Sequence, residues 1–353
     1  MFDPNWSGHK AVVFGLEGPA LTSDEAKFFE QIKPFGFILF SRNCNSPEQL
    51  KALTSSLRSI PGQENAPILI DQEGGRVARL REPNWRHPPP GRLFGVLSEN
   101  NIRLGCRAAY INARLIARDL KEVGIDVNCA PILDLLTPLT HSVIGDRAYS
   151  ENPVIVTSIA NEIVRGFVEE GITPVIKHIP GHGRATADSH VELPNVEISK
   201  EELRKSDFIP FKKISGPAWA MTAHIIFSDI DPLCPATQSQ TLISDIIRGE
   251  VGFEGVLISD DIGMGALSGN LSDRADKALR AGCDLLLHCS GKLSEMREIQ
   301  TLIPVVNEDA MARLQKTNAE CEELRREGCN LTAEEMAEEL RGYLSMATLK
   351  EKI

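Results

Sequence analysis

Short apolar runs alternate with longer amphipathic segments along most of this chain. Short apolar runs bounded by turn residues are typical of buried strands, whereas apolar positions that recur every three or four residues indicate helices. Eight runs have the length and composition of strands, and they are Ala11–Phe14, Gly36–Phe40, Ile68–Ile70, Val127–Ile132, Pro174–Ile176, Trp219–Thr222, Gly255–Ile258 and Asp284–Leu287.

Amphipathic segments lie between these runs. They are Ser46–Ile60, Asn101–Val123, Pro153–Glu170, Lys200–Lys213, Gln240–Val251 and Asp273–Ala281. Strand–helix alternation implies parallel strands joined by crossover helices, and eight such units predict a closed (β/α)8 barrel, the TIM barrel. A doubly wound open sheet is the alternative, but Phe14-Gly15-Leu16-Glu17-Gly18 after the first strand does not match its GxGxxG turn.

We expect a single catalytic domain over residues 1–353, with the barrel at about 11–300. The charged, helical residues at about 301–353 are expected to form terminal helices rather than a second domain. The apolar content of 42% is ample for a sizeable core.

Composition also narrows the expected partners. A net charge of −11 argues against nucleic acid, because phosphate binding needs a basic face. No apolar run approaches the roughly 18 residues of a membrane span, and residues 1–10 have no secretory-signal pattern. Eight cysteines without a CxxC pair do not indicate a disulfide framework. We therefore expect a cytoplasmic monomer that binds neither nucleic acid nor membrane.

Titratable residues follow most of the predicted strands, where barrels of this kind keep their active sites. They are Asp71 and Arg79 after the third strand, Asp134 and Arg147 after the fourth, Lys177 and His178 after the fifth, His224 after the sixth, Asp260 and Asp261 after the seventh, and His288 after the eighth. Some have simpler interpretations: His224 and His288 as hydrogen-bonded core residues, and one of the paired aspartates as structural.

The segment Lys177-His178-Ile179-Pro180-Gly181-His182-Gly183, followed by Asp188-Ser189-His190, is the densest in such groups. One hypothesis is metal-assisted hydrolysis with His178, His182 and His190 as ligands. However, proline and glycine between the first two histidines prevent the helix that makes an i, i+4 spacing useful, and Lys177 would repel a cation. We therefore expect no metal and no other cofactor.

The second hypothesis is glycoside hydrolysis, which needs a nucleophilic carboxylate, a proton donor and groups that hold sugar hydroxyls. Asp260 at a strand end suits the nucleophile, and His190, oriented by Asp188, suits the acid/base. The candidate sugar-binding residues are Asp71, Arg79, Arg147, Lys177 and His178.

Several motifs in the chain resemble those of the β-N-acetylhexosaminidases of glycoside hydrolase family 3, in their bacterial single-barrel form. They are Ile70-Asp71-Gln72-Glu73-Gly74-Gly75-Arg76-Val77, Ile144-Gly145-Asp146-Arg147, the Lys177–Gly183 segment, Asp188-Ser189-His190, and Ser259-Asp260-Asp261 with Met264. They occur in family order over roughly residues 11–290. Larger members of the family carry a second domain, for which this chain has too little sequence after the barrel, and this argues against a β-glucosidase.

The resemblance implies a retaining mechanism with a covalent glycosyl-enzyme on Asp260 and an acid/base dyad of His190 and Asp188. The implied substrate is a cell-wall muropeptide fragment, GlcNAc-anhydroMurNAc with or without peptide, whose non-reducing terminal N-acetylglucosamine is removed in peptidoglycan recycling. The glycine-containing loop from Gly181 to His190 is expected to move and to bring His190 in when sugar binds. A barrel that binds muropeptides without catalysis is the alternative from another class; it would lack one of these three residues, and all are present.

Overall fold

The computed structural model describes residues 6–138, 140–325 and 331–350. Its barrel strands are β1 (Lys10–Gly15), β2 (Pro34–Leu39), β3 (Ile68–Ile70), β4 (Val127–Asn128), β5 (Thr173–Ile179), β6 (Trp219–Thr222), β7 (Leu257–Asp261) and β8 (Leu285–His288). Each strand pairs in parallel with its neighbour along the chain, and β8 pairs with β1 to close the barrel. The predicted closed parallel barrel is confirmed.

Helices follow the strands along the chain. They are Ser23–Ile32, Pro47–Arg58, Gly91–Asn100, Ile102–Glu122, Pro153–Glu170, Lys200–Lys205, Phe208–Lys212, Leu242–Glu250, Leu271–Ala281, Leu293–Ile299, Glu308–Arg325 and Ala333–Lys350. The segment Leu242–Glu250 is a π-helix. A separate two-stranded parallel sheet pairs Asn195–Val196 with Ile226–Phe227.

The helix Pro153–Glu170 has the bounds that its sequence predicts. The side chain of Asn152 caps the amide of Val154, and Gly171 ends the helix in the left-handed region at φ 86°. The predicted single helix Lys200–Lys213 is wrong, because it divides into two at Ser206–Asp207. Pro210 has no amide to donate to the carbonyl of residue 206, so it is accommodated in the first turn of a new helix.

Two strands reach further than their apolar residues indicate. The predicted end of β5 at Ile176 is wrong, because the strand continues to Ile179. The charge of Lys177 is tolerated there since two carboxylates neutralise it. The predicted strand Gly255–Ile258 is likewise shifted toward Asp261, and the hydroxyl of Ser259 accepts a 3.0 Å bond from a β8 amide.

The fourth strand is shorter than predicted. Instead of running to Ile132, β4 ends at Asn128, since Pro131 offers no amide to continue the ladder. Ile132 nevertheless forms an isolated parallel bridge to Lys177, so the chain stays beside β5.

The apolar core fills the barrel and the layer between strands and helices. Near β1, fully buried rings of Phe14, Phe28, Phe29 and Phe37 pack with centroids 4.9 to 6.5 Å apart. Burial of a side chain of this size stabilises a fold by about 1.5–3 kcal/mol. The packed core gives the strands fixed positions, so the side chains at their ends are held rigidly.

The terminal helices pack on the barrel's outer layer. In helix Ala333–Lys350, Glu339 accepts two bonds of 2.9 and 3.0 Å from Arg107. Within the predicted terminal segment, positions 326–330 and 351–353 lie outside the described residues. Over the described part of the chain, no helix combines the length and apolar character needed to cross a bilayer.

Candidate active site

A cavity of about 290 Å³ lies at the carboxyl ends of the barrel strands. Seven of the eight predicted site residues line this mouth cavity, and they are Asp71, Arg79, Arg147, Lys177, His178, His190 and Asp260. The eighth, Asp188, is bonded to His190. A larger cavity of about 520 Å³ lies at the opposite end of the barrel and contains none of the predicted residues.

Asp71 accepts hydrogen bonds from two cations. The ammonium Nζ of Lys177 lies 2.8 Å from Oδ1, and a terminal nitrogen of Arg79 lies 3.0 Å from Oδ2. Burial would raise the pKa of the Asp71 carboxyl, but Lys177 and Arg79 outweigh it and hold that pKa well below its usual range. Asp71 is therefore an ionised acceptor with fixed direction, as a sugar hydroxyl requires.

Glu73, to which the sequence prediction assigned no role, pairs with Arg147 and also with Lys177. Arg147 donates two bonds of 2.9 and 2.8 Å to its carboxylate, and Lys177 Nζ lies 2.7 Å from Oε1. Although burial opposes ionisation, Arg147 and Lys177 lower the pKa of Glu73 to about 2. Lys177 is consequently shared by two carboxylates from the loop after β3, and its charged form is fixed.

A third carboxylate, that of fully buried Asp134, organises His178 near the end of β5 and His182 after the strand. It lies 2.7 Å from Nδ1 of His178 and accepts bonds from the backbone amides of His178 and His182, at 3.1 and 2.6 Å. Burial and the neighbouring His178 lower the pKa of His182 to about 4, so its ring is neutral near pH 7. Asp134 and His182, both of which the sequence places near the strand ends, thus support the site through their bonds to each other and to His178.

Asp260 is half-buried at the end of β7, within the mouth cavity. Burial raises its pKa, but nearby His224 and His178 outweigh this and lower the pKa overall. Its Oδ1 accepts a 2.8 Å bond from the amide of Asp261. The arrangement favours an ionised carboxylate in a fixed position, as a nucleophile needs.

The carboxylate of the neighbouring Asp261 is hydrogen-bonded to backbone amides. Its carboxylate accepts bonds from the amides of Gly263 and Cys289, at 2.9 and 3.1 Å. Its carbonyl lies 3.0 Å from Nε2 of His224, which is fully buried and also bonded to Thr237. His288 is fully buried as well and bonds to a serine hydroxyl.

His190 and Asp188 form a pair at the edge of the mouth cavity. Nδ1 of His190 lies 2.8 Å from Oδ1 of Asp188, and the same oxygen accepts the His190 amide at 2.9 Å. The side chains are 62% and 32% exposed, so the pair is accessible to solvent. Burial opposes ionisation of Asp188, but the bonds from His190 together outweigh it and lower the pKa of the carboxyl. The geometry leaves Nε2 of His190 as the nitrogen that can exchange a proton with a ligand.

Phe40 is a further lining residue whose contribution the sequence prediction missed. Two guanidinium groups lie over its ring, that of Arg42 at 4.8 Å and that of Arg79 at 5.1 Å from the ring centroid. Such cation–π contacts stabilise the position of an arginine by about 0.5–2 kcal/mol. Phe40 therefore helps to orient Arg79 beside Asp71.

The three histidines considered as metal ligands each have a separate partner. His178 bonds to Asp134, His182 to the hydroxyl of Ser189, and His190 to Asp188. Across the described ranges, no three His, Cys, Asp or Glu side chains converge closely enough to hold a metal ion.

Comparison with known proteins identifies the family. The model of the glycosyl hydrolase family 3 N-terminal domain matches residues 14–322. A protein named Beta-hexosaminidase from Alkalilimnicola ehrlichii is 42% identical over 286 residues, which cover 79% of this chain and 80% of that protein. Another of that name, from Nitrosospira multiformis, is 36% identical over 86% of this chain and 88% of its own length.

Solved structures agree with this result. Native NagZ from Neisseria gonorrhoeae superposes with a TM-score of 0.83 at 29% identity, over 96% of this chain and 98% of that one. A family 3 β-N-acetylglucosaminidase from a Paenibacillus species gives 0.81 at 29% identity, over 97% of this chain and 68% of that one. This chain therefore belongs to glycosyl hydrolase family 3 and is a glycoside hydrolase.

Proposed function

We propose that this chain is a retaining β-N-acetylglucosaminidase that forms a covalent glycosyl-enzyme on Asp260, with His190 and Asp188 as its acid/base dyad. The observation that carries the proposal is that an ionised carboxylate and an accessible, carboxylate-held imidazole line one cavity. Retaining glycosidases need these two functions on either side of the scissile bond.

In the first step, a carboxylate oxygen of Asp260 attacks the anomeric carbon while the glycosidic C–O bond breaks. The imidazolium of His190 gives its Nε2 proton to the departing oxygen, while its Nδ1–H stays on the ring and donates a hydrogen bond to Asp188. In the second step, neutral His190 takes a proton from water, whose oxygen attacks the anomeric carbon and releases Asp260. Ionised Asp188 stabilises the imidazolium that forms in each cycle.

The proposed sugar site consists of the cations and carboxylates opposite this dyad. Asp71, Arg79, Arg147, Lys177 and His178 are proposed to bind the N-acetylglucosamine ring. Their partners hold them in fixed directions, and this pre-organisation favours directional bonds to hydroxyls. NagZ from Neisseria gonorrhoeae has been solved in complex with N-trifluoroacetyl-D-glucosamine, which supports a site for an N-acylated glucosamine here.

We further propose that the natural substrate is GlcNAc-anhydroMurNAc, with or without its peptide, in peptidoglycan recycling in the cytoplasm. Arg76 lines the cavity and pairs with Asp146 at 2.9 Å; its side chain is 43% exposed, and we propose that it contributes a positive field for a substrate that carries carboxylates. We propose that residues 1–353 act as one catalytic domain, as a monomer, with no cofactor, membrane or nucleic-acid partner.

The test is release of p-nitrophenol from its β-N-acetylglucosaminide and its β-glucoside by the unaltered protein, Asp260→Ala and His190→Ala, with and without chelator. The proposal predicts chelator-resistant turnover of the N-acetyl substrate alone, abolished by the first substitution and lowered by the second. Equal turnover of the glucoside would contradict the specificity, and loss of turnover with chelator would contradict a metal-free mechanism. No turnover of either substrate would favour a muropeptide-binding barrel.

A further inference from the structure

The loop that carries His190 is bonded to the loop that follows the strand of Asp260. The backbone amide of Gly265 donates a 3.1 Å hydrogen bond to the carbonyl of His190, and the amide of Ala266 donates a 3.2 Å bond to that of Ser189. Two consecutive residues of one loop thus bind two consecutive residues of the other. Only four residues, 261 to 264, separate the proposed nucleophile Asp260 from Gly265, which is bonded to the proposed acid/base residue.

The residues before Gly265 are held firmly in place. One terminal nitrogen of Arg274 donates to the carbonyls of Ile262 and Met264, each at 3.1 Å. The Asp261 carboxylate accepts the amide of Gly263, and the Asp261 carbonyl accepts that of Met264 at 3.0 Å. These bonds make the segment a fixed platform on which a loop can dock.

The close approach of the two loops requires glycine at position 265. A Cβ atom there would lie 2.7 Å from the carbonyl oxygen of Val191 and 2.8 Å from that of His190. Ordinary van der Waals contact begins at 3.4 Å, so the Val191 carbonyl would have to retreat by about 0.7 Å. Both oxygens belong to the backbone of the acid/base loop, which cannot turn aside as a flexible side chain would.

We propose that the amides of Gly265 and Ala266 dock the acid/base loop, and that Gly265 is a positioning residue that sets where His190 stands relative to Asp260. The proposal rests on the proposed role of His190. At the other end of the loop, the amide of His182 is bonded to Asp134, and Nε2 of the same histidine lies 3.0 Å from the hydroxyl of Ser189. The loop is therefore held at both ends, and the His190 ring, bonded to Asp188, lines the cavity.

Gly265→Ala tests the proposal, since it adds one methyl group and keeps the amide. Misplacing a catalytic group by 1 Å can cost about 10²-fold in rate. We expect kcat on p-nitrophenyl β-N-acetylglucosaminide to fall about 10- to 100-fold, and KM to fall with it, because slower hydrolysis lets the glycosyl-enzyme accumulate. Gly18→Ala is the matched control, because a Cβ at Gly18 meets nothing within 4 Å, and it should behave as the unaltered protein.

Rescue by azide distinguishes a displaced acid/base residue from a damaged nucleophile site. The p-nitrophenolate group leaves with little protonation, so the missing base limits hydrolysis of the glycosyl-enzyme. Azide needs no base: it attacks the anomeric carbon, forms the glycosyl azide and releases Asp260. We expect azide to restore turnover of Gly265→Ala severalfold, as in His190→Ala, because rescue requires a folded nucleophile site. Unchanged kcat, or a loss that azide does not restore while His190→Ala is rescued, would overturn the docking proposal.

Amide hydrogen exchange gives a readout independent of the chemistry. Docking predicts that Gly265→Ala accelerates exchange in residues 181–192 and at Ala266, while Gly18→Ala does not. Unchanged exchange in Gly265→Ala would overturn the proposal. If exchange accelerates but His190→Ala neither loses turnover nor responds to azide, the docking stands and the proposed role of His190 fails.

Discussion

Replacing Glu73 by glutamine removes the charge that neutralises two buried cations. Arg147 and Lys177 lie 2.7 to 2.9 Å from this carboxylate, and both side chains are at most 10% exposed. The amide keeps the size of the side chain and one acceptor oxygen, so the substitution changes charge rather than packing. After it, Lys177 retains Asp71 as a charged partner, whereas Arg147 loses one of its two bonds at residue 73 and the negative charge that both bonds met.

Two estimates of the stability effect agree. Lowering the pKa of Glu73 from 4.5 to about 2 corresponds to about 3 kcal/mol, since each pKa unit is worth about 1.4 kcal/mol. Breaking a buried ion pair by removing one partner costs about 3–5 kcal/mol. We therefore expect Glu73→Gln to lower the free energy of unfolding by about 3 kcal/mol at pH 7. The displaced cations should lower kcat/KM by about 10²-fold.

The sign of the pH dependence follows from the lowered pKa. A carboxyl whose pKa is lower when folded contributes its full stabilisation above its unfolded pKa, and loses it as pH falls through its folded pKa. The difference between the unaltered protein and Glu73→Gln should therefore narrow from about 3 kcal/mol at pH 7 to about 1.5 kcal/mol at pH 3.

Urea unfolding at both pH values measures this difference, and Glu122→Gln is its control. Glu122 pairs with Lys51 at 3.0 Å on the surface, with a side chain that is 67% exposed. Exposed pairs of this kind contribute about 0–1 kcal/mol. A loss below about 1 kcal/mol at pH 7 for Glu73→Gln, or a difference that does not depend on pH, would refute the reasoning.

Three further predictions concern stability, sugar binding and metal dependence. Asp284→Asn should lower the free energy of unfolding in urea by about 3 kcal/mol, because buried Asp284 pairs with Arg248 and Arg313. Since Asp284 lies before β8, away from the mouth cavity, kcat/KM should stay within about twofold of the unaltered protein, and a larger loss of activity would contradict this. Phe40→Leu should raise KM about fivefold at similar kcat, since loss of about 1 kcal/mol of cation–π contact frees Arg79, and an unchanged KM would count against that role. Turnover should survive dialysis against a chelator, and recovery only on adding metal would contradict the account.

The positions of the elements followed from the sequence better than their ends did. The apolar run Trp219–Thr222 is β6 with no change of bounds, because its four residues are all buried. The end of β5 was wrong because Lys177 and His178 are polar, and apolar patterning cannot show that carboxylates elsewhere in the chain pair with them. The local apolar pattern predicts where a strand lies along the chain, whereas its last residue depends on side chains that are distant in sequence.

The location of the candidate site was also predictable from the sequence, whereas the contacts within it were not. Residues beside strand ends converge in one cavity, as barrel geometry requires. The partnerships between them were not predictable: Glu73 and Arg147 are 74 positions apart, and Asp71 and Lys177 are 106 apart. The close approach at Gly265 was equally hidden, because a glycine in a loop gives no sign of which backbone will lie against it.

The identity of the nucleophile is the central claim, and covalent trapping tests it most directly. A 5-fluoro derivative of an N-acetylglucosaminyl fluoride slows release of the glycosyl-enzyme, so the adduct can be digested and located by tandem mass spectrometry. The account predicts one added sugar on the peptide that contains Ser259-Asp260-Asp261, with the fragment series assigning it to Asp260. A label on any other residue, or turnover with no trapped adduct, would contradict it.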